Sequence, residues 1–224
     1  MNSKANSMEN PSPKEIQDLI LPFQYPLDHV GIRLNRPEQD PELNFFSVIK
    51  DRKSIRNLKP LKEKQLDYLF WFAARVYQAS VANDYILSHR ASPSAGGIHP
   101  IDILVHRPEN SFFEYYSPFE HHLYKVQLEQ EIIQSLLCHI DLAFPNRDTP
   151  LLWFLAHGKR TKAFYQNFES LVWRDAGALL QTFQLTCTAL GMGSCAVGTL
   201  GEPFISSLFG EDIVSAGGII IGNI

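Results

Sequence analysis

Along the chain, apolar residues fall into two rhythms after a proline-broken start. Between Asn44 and Val76, Phe45, Phe46, Val48 and Ile49 precede a charged turn. After Pro60, Leu66, Leu69, Phe70, Phe72 and Ala73 recur largely at i, i+3 and i+4, the spacing that lines one face of a helix. Gln127 to Leu142 has the same character. Phe164 to Leu190 contains no proline and one glycine, which predicts a long, largely buried helix ending at Gly191-Met192-Gly193. Alternating Ile101, Ile103 and Val105 predict a strand, and Leu123 to Val126 a short one after the turn at Ser117-Pro118. The run Leu151 to Ala156 suits a buried strand or, on periodicity alone, a helical turn. The stretch Ala216 to Gly222 predicts a terminal strand, and Arg90 to Pro100 and Pro145 to Pro150 read as loops.

Residues 1–43 are different. Pro11, Pro13, Pro22, Pro26, Pro37 and Pro41 lie among polar residues and prevent a long helix, so an extended arm is expected ahead of one domain at 44–224. Leu19, Ile20, Leu21, Phe23 and Tyr25 are costly to leave in water, which predicts that part of the arm docks.

With 45% hydrophobic and 20% charged residues in 224, there is ample material for a folded core. A net charge of −4 gives no dominant field for nucleic acid. Residues Met1 to Pro13 are polar and do not read as a signal peptide, and no apolar run approaches the about 20 residues that span a bilayer, so neither a membrane span nor secretion is expected. Cys138, Cys187 and Cys195 form no CxxC pair, which fits the reducing cytoplasm. Cys138 and His139 are adjacent but lack two further ligands at a zinc spacing, so no metal site is expected. His121 and His122 are expected as an exposed pair, Trp153 and Trp173 as core, and Cys187 and Cys195 as buried thiols. His99 either touches substrate or ties its own loop.

Three segments carry candidate chemistry. Arg52-Lys53-Ser54-Ile55-Arg56 concentrates three cations and a hydroxyl, donors suited to a phosphate, though also to a solvated turn. Pro93-Ser94-Ala95-Gly96-Gly97 is small enough for backbone to approach a flat ligand, or is an ordinary turn. Gly191 to Thr199 either stops a helix or presents strand amides to a ligand. Neither a Walker loop nor GxGxxG is present.

In order and composition, these segments resemble the flavin-dependent nitroreductase family, and most closely its SagB-type dehydrogenase branch, over about Phe46 to Gly222. The Arg-x-Ser-x-Arg signal, the run Ser92 to Pro100 and the run Ala189 to Gly198 carry the likeness. It implies an α+β fold, with a central antiparallel-rich sheet flanked by helices, and an intertwined homodimer with FMN at its interface. Arg52, Lys53, Ser54 and Arg56 would hold the phosphate and ribityl end. Pro93, Ser94, Ala95 and Gly96 would line the isoalloxazine from the partner subunit, and Val197, Gly198 and Thr199 would lie near its reactive N5 edge. The implied activity is hydride transfer between flavin and a small or peptide-derived substrate, with NAD(P)H as donor in the nitroreductase version; the alternative is a non-catalytic flavin-binding or scaffold member of a biosynthetic complex. Lys162 and Tyr165 are the catalytic candidates, standing where azoline oxidases have an adjacent Lys-Tyr pair. Relatives often place a basic residue after the last strand, where this sequence reads Gly222-Asn223-Ile224.

Overall fold

The computed structural model describes residues 9–82, 85–145, 147–210 and 212–224. The first eight residues of the expected arm, and one residue of the loop expected at 145–150, lie outside them. The strands are β1 (Ser12–Pro13), β2 (Ile32–Arg33), β3 (Gln78–Ala82), β4 (Tyr85–His89), β5 (Ile101–His106), β6 (Phe113–Ser117), β7 (His122–Lys125), β8 (Leu151–Ala156), β9 (Tyr165–Gln166), β10 (Met192–Val197) and β11 (Val214–Asn223). The helices are α1 (Phe45–Asp51), α2 (Gln65–Ala73), α3 (Gln130–Asp141), α4 (Gly158–Lys162), α5 (Glu169–Ala189) and α6 (Phe204–Phe209).

Seven strands form one sheet in the order β10-β11-β8-β5-β6-β7-β2, every pairing antiparallel. Its centre is covered on both faces, which is why β5 and β8 are buried at every position and β8 reads as a continuous apolar run. On one side, Leu69, Phe70 and Ala73 of α2 and Val172, Leu179 and Phe183 of α5 pack on Ile101, Ile103, Phe154 and Ile219. On the other, Ile133, Leu136 and Ile140 of α3 and Ile205 and Phe209 of α6 pack on Leu104, Trp153, Leu155 and Ile220. Helices on both faces of an antiparallel sheet make the expected α+β architecture.

Several expectations need correcting. Strand β6 and the β3–β4 hairpin were not foreseen. The long helix begins at Glu169 rather than near Phe164, because Tyr165 and Gln166 instead pair with Pro13 and Ser12 of the arm. Only one face of α5 is buried, with Val172, Ala176, Leu179, Phe183 and Cys187 spaced at helical intervals, and Trp173 on the other face is 42% exposed. His121 is buried and bonded to the Tyr116 hydroxyl and the Asn35 carbonyl, so the expected exposed pair does not form.

The arm docks through Phe23, Tyr25, Leu34 and the β2–β7 pairing. Tyr25 stacks on Tyr115 with ring centroids 4.8 Å apart. Leu19 and Leu21, expected to dock with them, are instead exposed.

Candidate functional site

Asn44 starts α1 by accepting the Ser47 N–H at 3.1 Å, and the backbone turns extended at Arg52. From there the chain runs beside the edge strand β10. Ser54 bridges Ser194 in parallel and the Ile55 N–H donates to the Ser194 carbonyl at 2.9 Å. Gly193 permits this approach, since a Cβ there would stand 2.5 Å from Leu58 Cδ2. Lys53 and Ile55 line a hollow of about 400 Å³ with Lys50 and Thr188. Arg56 lines a second, of about 540 Å³, with Lys59 and Arg147. Among the described residues, Arg52, Lys53 and Arg56 form no ion pair. Unpaired cations, half-buried at Arg52 and exposed at Lys53 and Arg56, on a segment pinned by a backbone bond fit a phosphate.

The Ser94 loop is held from within its own chain. Ser94 Oγ donates to Asp175 Oδ2 at 2.5 Å, the Ala95 N–H to Asp175 Oδ1 at 3.3 Å, and the His99 N–H to Ser94 Oγ at 2.9 Å. Burial pushes the Asp175 carboxyl up, against the pull of those two donors. Gly96 and Gly97 sit at φ +62° and +68°, a conformation that favours glycine. Of the two readings of His99, the structure shows the loop tie: its Nε2 lies 2.9 Å from the Ser88 carbonyl, and burial, then the Arg90 charge, lower its pKa to about 4. The neutral ring therefore donates to that carbonyl.

At the third segment, Val197 is buried at the end of β10, Gly198 is exposed with no atom within 4 Å of a would-be Cβ, and Thr199 Oγ1 meets His139 Nε2 at 3.1 Å. At Gly198 the backbone faces open space, as a flat ligand requires. The first and third segments are joined through β10, about 13 Å from Ser194 to Gly198 at the rise of a strand. The Ser94 loop is not with them. It rests on Asp175 near one end of α5, while Lys53 shares its hollow with Thr188 near the other, about 20 Å along the helix. Tyr165 reaches the loop, its hydroxyl 3.2 Å from where a Gly96 Cβ would stand, whereas Lys162 points from α4 into solvent.

Sequence reasoning missed a buried ionic cluster. Asp102 receives both Nη groups of Arg160 at 2.7 and 2.8 Å, lies 2.9 Å from His157 Nε2, and accepts from the Tyr25 hydroxyl at 3.1 Å. Burial favours the neutral acid, but Arg160 and then His157 outweigh it and hold the carboxyl far below its ordinary range. Burial, then the Asp102 charge, push the Tyr25 hydroxyl up. The available signal was an aspartate inside the apolar run Ile101-Asp102-Ile103.

Cys187 and Cys195 are buried, the former pushed up to about 12 by burial, and Trp153 is fully buried. Among the described residues, no group of three potential metal ligands forms and no helix is long and apolar enough to cross a membrane.

The model of the nitroreductase family matches residues 49–222. Among solved structures, a putative nitroreductase from Ralstonia eutropha is similar at 21% identity, over 95% of this chain and 98% of that one, with a TM-score of 0.65. The E. coli microcin synthetase McbBCD complex with truncated pro-MccB17 bound has a chain similar at 16% identity, over 85% and 77%, with a TM-score of 0.57. A putative nitroreductase in complex with FMN from Desulfovibrio desulfuricans is similar at 16% identity, over 81% and 87%, with a TM-score of 0.52. No curated protein sequence matches. A family model spanning the cation segment, the small-residue loop and all of β10 places the fold and its three segments in one lineage: the chain belongs to the nitroreductase family.

Proposed function

We propose that the protein is an FMN-dependent oxidoreductase of the SagB type, moving a hydride between a peptide-derived substrate and a flavin held between two copies of the chain. The observation that carries this reading is the separation of the two candidate halves of the site: the unpaired cations lie at one end of α5 and the Ser94 loop at the other. A two-fold arrangement brings one copy's cations to the other's loop. Family membership supports the oxidoreductase class, and the FMN-bound neighbour supports the cofactor. The microcin synthetase neighbour, solved with truncated pro-MccB17 bound, supports a biosynthetic, peptide-derived substrate.

In this reading, Arg52, Ser54 and Arg56 bind the phosphate through charge-assisted hydrogen bonds, with Lys53 adding charge. Asp175 fixes Ser94 and Ala95, and through them Pro93 and Gly96, as a small-residue wall for a planar ring. The backbone of Val197, Gly198 and Thr199 lines the reacting edge. Bound flavin supplies the hydride chemistry, so the chain's own residues need only orient substrate and exclude water. Tyr165, beside Gly96, is placed to orient substrate; Lys162 is not.

The experiment is anaerobic mixing of FMN-loaded protein with an azoline-containing peptide or, separately, with NADPH, followed at the flavin absorbance band. Bleaching by the peptide is expected. Bleaching by NADPH alone favours the nitroreductase version. Loss of colour with neither donor returns the protein to the scaffold alternative.

A further inference from the structure

A third cavity, of about 350 Å³, lies away from the first and third segments and borders the Ser94 loop only at Ile98 and His99; it is within the size range of small-molecule sites, about 300–1,000 Å³. Its roof is the arm at Leu19, Ile20 and Pro22, pinned to the hairpin by the Ile20 N–H donating to the Tyr85 hydroxyl at 3.2 Å. Ile86 and Phe119 form its walls, and Arg90, Asp102 and Arg160 its polar floor. We propose that this cavity binds a small apolar carboxylate, with Arg90 as its anchor.

The charges select the ligand. Both Nη groups of Arg160 are committed to Asp102, so that pair is balanced within the protein. Arg90 is half-buried and, among the described residues, makes one side-chain hydrogen bond, from Nε to Ser88 Oγ at 3.1 Å, and pairs with no carboxylate. Its outer guanidinium edge is free to grip a planar monoanion in two parallel bonds. With Arg90 and Arg160 positive and Asp102 negative, the floor carries one net positive charge, which matches a carboxylate. A dianionic phosphate would stand uncompensated beside Asp102. The apolar part of the ligand is called for by the mouth: Leu19 is 83%, Ile86 60% and Phe119 54% exposed. Large apolar side chains clustered around a cationic floor are costly to leave in water and complement an amphipathic acid.

Calorimetric titration of the full chain with 3-phenylpropionate and hexanoate, against the neutral 3-phenylpropanamide, tests the proposal. The acids should bind at least ten-fold more tightly than the amide. Arg90→Met should abolish that preference. Ile86→Glu, which sets a negative charge at an exposed wall position, should weaken the acids at least ten-fold while leaving the melting temperature unchanged, and decides the matter alone if Arg90→Met does not fold. Saturating FMN should leave the titration unaltered whether or not the flavin reading holds. The proposal is overturned if neither acid binds, if the amide binds equally, if both variants keep wild-type affinity, or if FMN competes.

Discussion

At the scale of single residues, the buried histidines set the response to acid. Burial, then the Arg90 charge, lower His99 to about 4; burial, then the Arg147 charge, lower His106 to about 4; and His121 shifts in the same direction for the same leading reason. A group whose folded pKa lies below its unfolded value binds its proton more readily in the unfolded chain, so stability falls as pH drops from about 6.5 toward 4. Asp102 acts in the same direction but lower in pH, since its carboxyl is held far below its usual range and its stabilising charge is lost only below the ordinary carboxylate range. Urea midpoints should therefore fall between pH 7 and pH 5 before carboxylate protonation matters, and His106→Phe, against its ring neighbour Phe113, should make that slope shallower. An unchanged slope in the variant would remove His106 from the account. Ser94→Ala tests the loop at the same scale. It deletes the bond to Asp175 and the acceptor for the His99 N–H, and leaving those groups underpaired costs about 1–3 kcal/mol. The melting temperature should drop and FMN retention weaken together; a stable variant with full retention would mean that Asp175 does not organise the loop.

At the scale of elements, what the sequence revealed depended on where each partner lies along the chain. Helix α3 and helix α5 from Glu169 were legible because their burial follows the helical period, strands β5 and β11 because they are short Ile- and Val-containing runs beside loops, and β8 only as a strand or a helical turn, because it is buried at every position. The alternation in β5 nonetheless misled about Asp102 and His106, which are buried on the second face because helices cover both sides of the sheet. Strand β9 was illegible for a physical reason: Tyr165 and Gln166 are extended because Ser12 and Pro13, some 150 residues earlier, pair with them. The Tyr25, Asp102, His157 and Arg160 cluster joins residues from three regions that no local spacing connects. For the candidate site, the residue types of the cation segment and the loop were readable, whereas their separation along α5 was not. The glycines of β10 offer a contrast that tests the element as a clamp. Gly193→Ala puts a carbon 2.5 Å from Leu58 Cδ2, which must turn aside, and 3.3 Å from Ile55 Cβ, so it should lower the melting temperature while loosening the Arg52 to Arg56 segment from β10. Gly198→Ala adds a methyl to open space and should leave the melting temperature unchanged. Thermal unfolding of the two variants side by side measures the difference, and equal melting temperatures would deny the clamp.

At the scale of the whole molecule, the proposed site can be complete only if two copies exchange parts. A single chain holds Lys53 near Thr188 and Ser94 near Asp175, about 20 Å apart along α5, and among the described residues no packing folds one end onto the other. A homodimer with two-fold symmetry contains two such sites, each combining one copy's cations with the other's loop. This makes a sharp prediction for mixed dimers. Arg52→Ala with Arg56→Ala in one chain removes the cations, and Gly96→Leu in another fills the loop at a position of φ +62°, beside the Tyr165 hydroxyl. Each homodimer should then lose FMN. In a hybrid, one site carries both lesions and the other carries neither, because its cations come from the loop variant and its loop from the cation variant. Random assortment of equal amounts makes half the dimers hybrid, so co-expression should restore roughly a quarter of the sites. Absorbance of the purified mixture reads this directly. No recovery, with both variants folded and dimeric, would place the cations and the loop of each site in one chain and remove the reason for reading the site as shared.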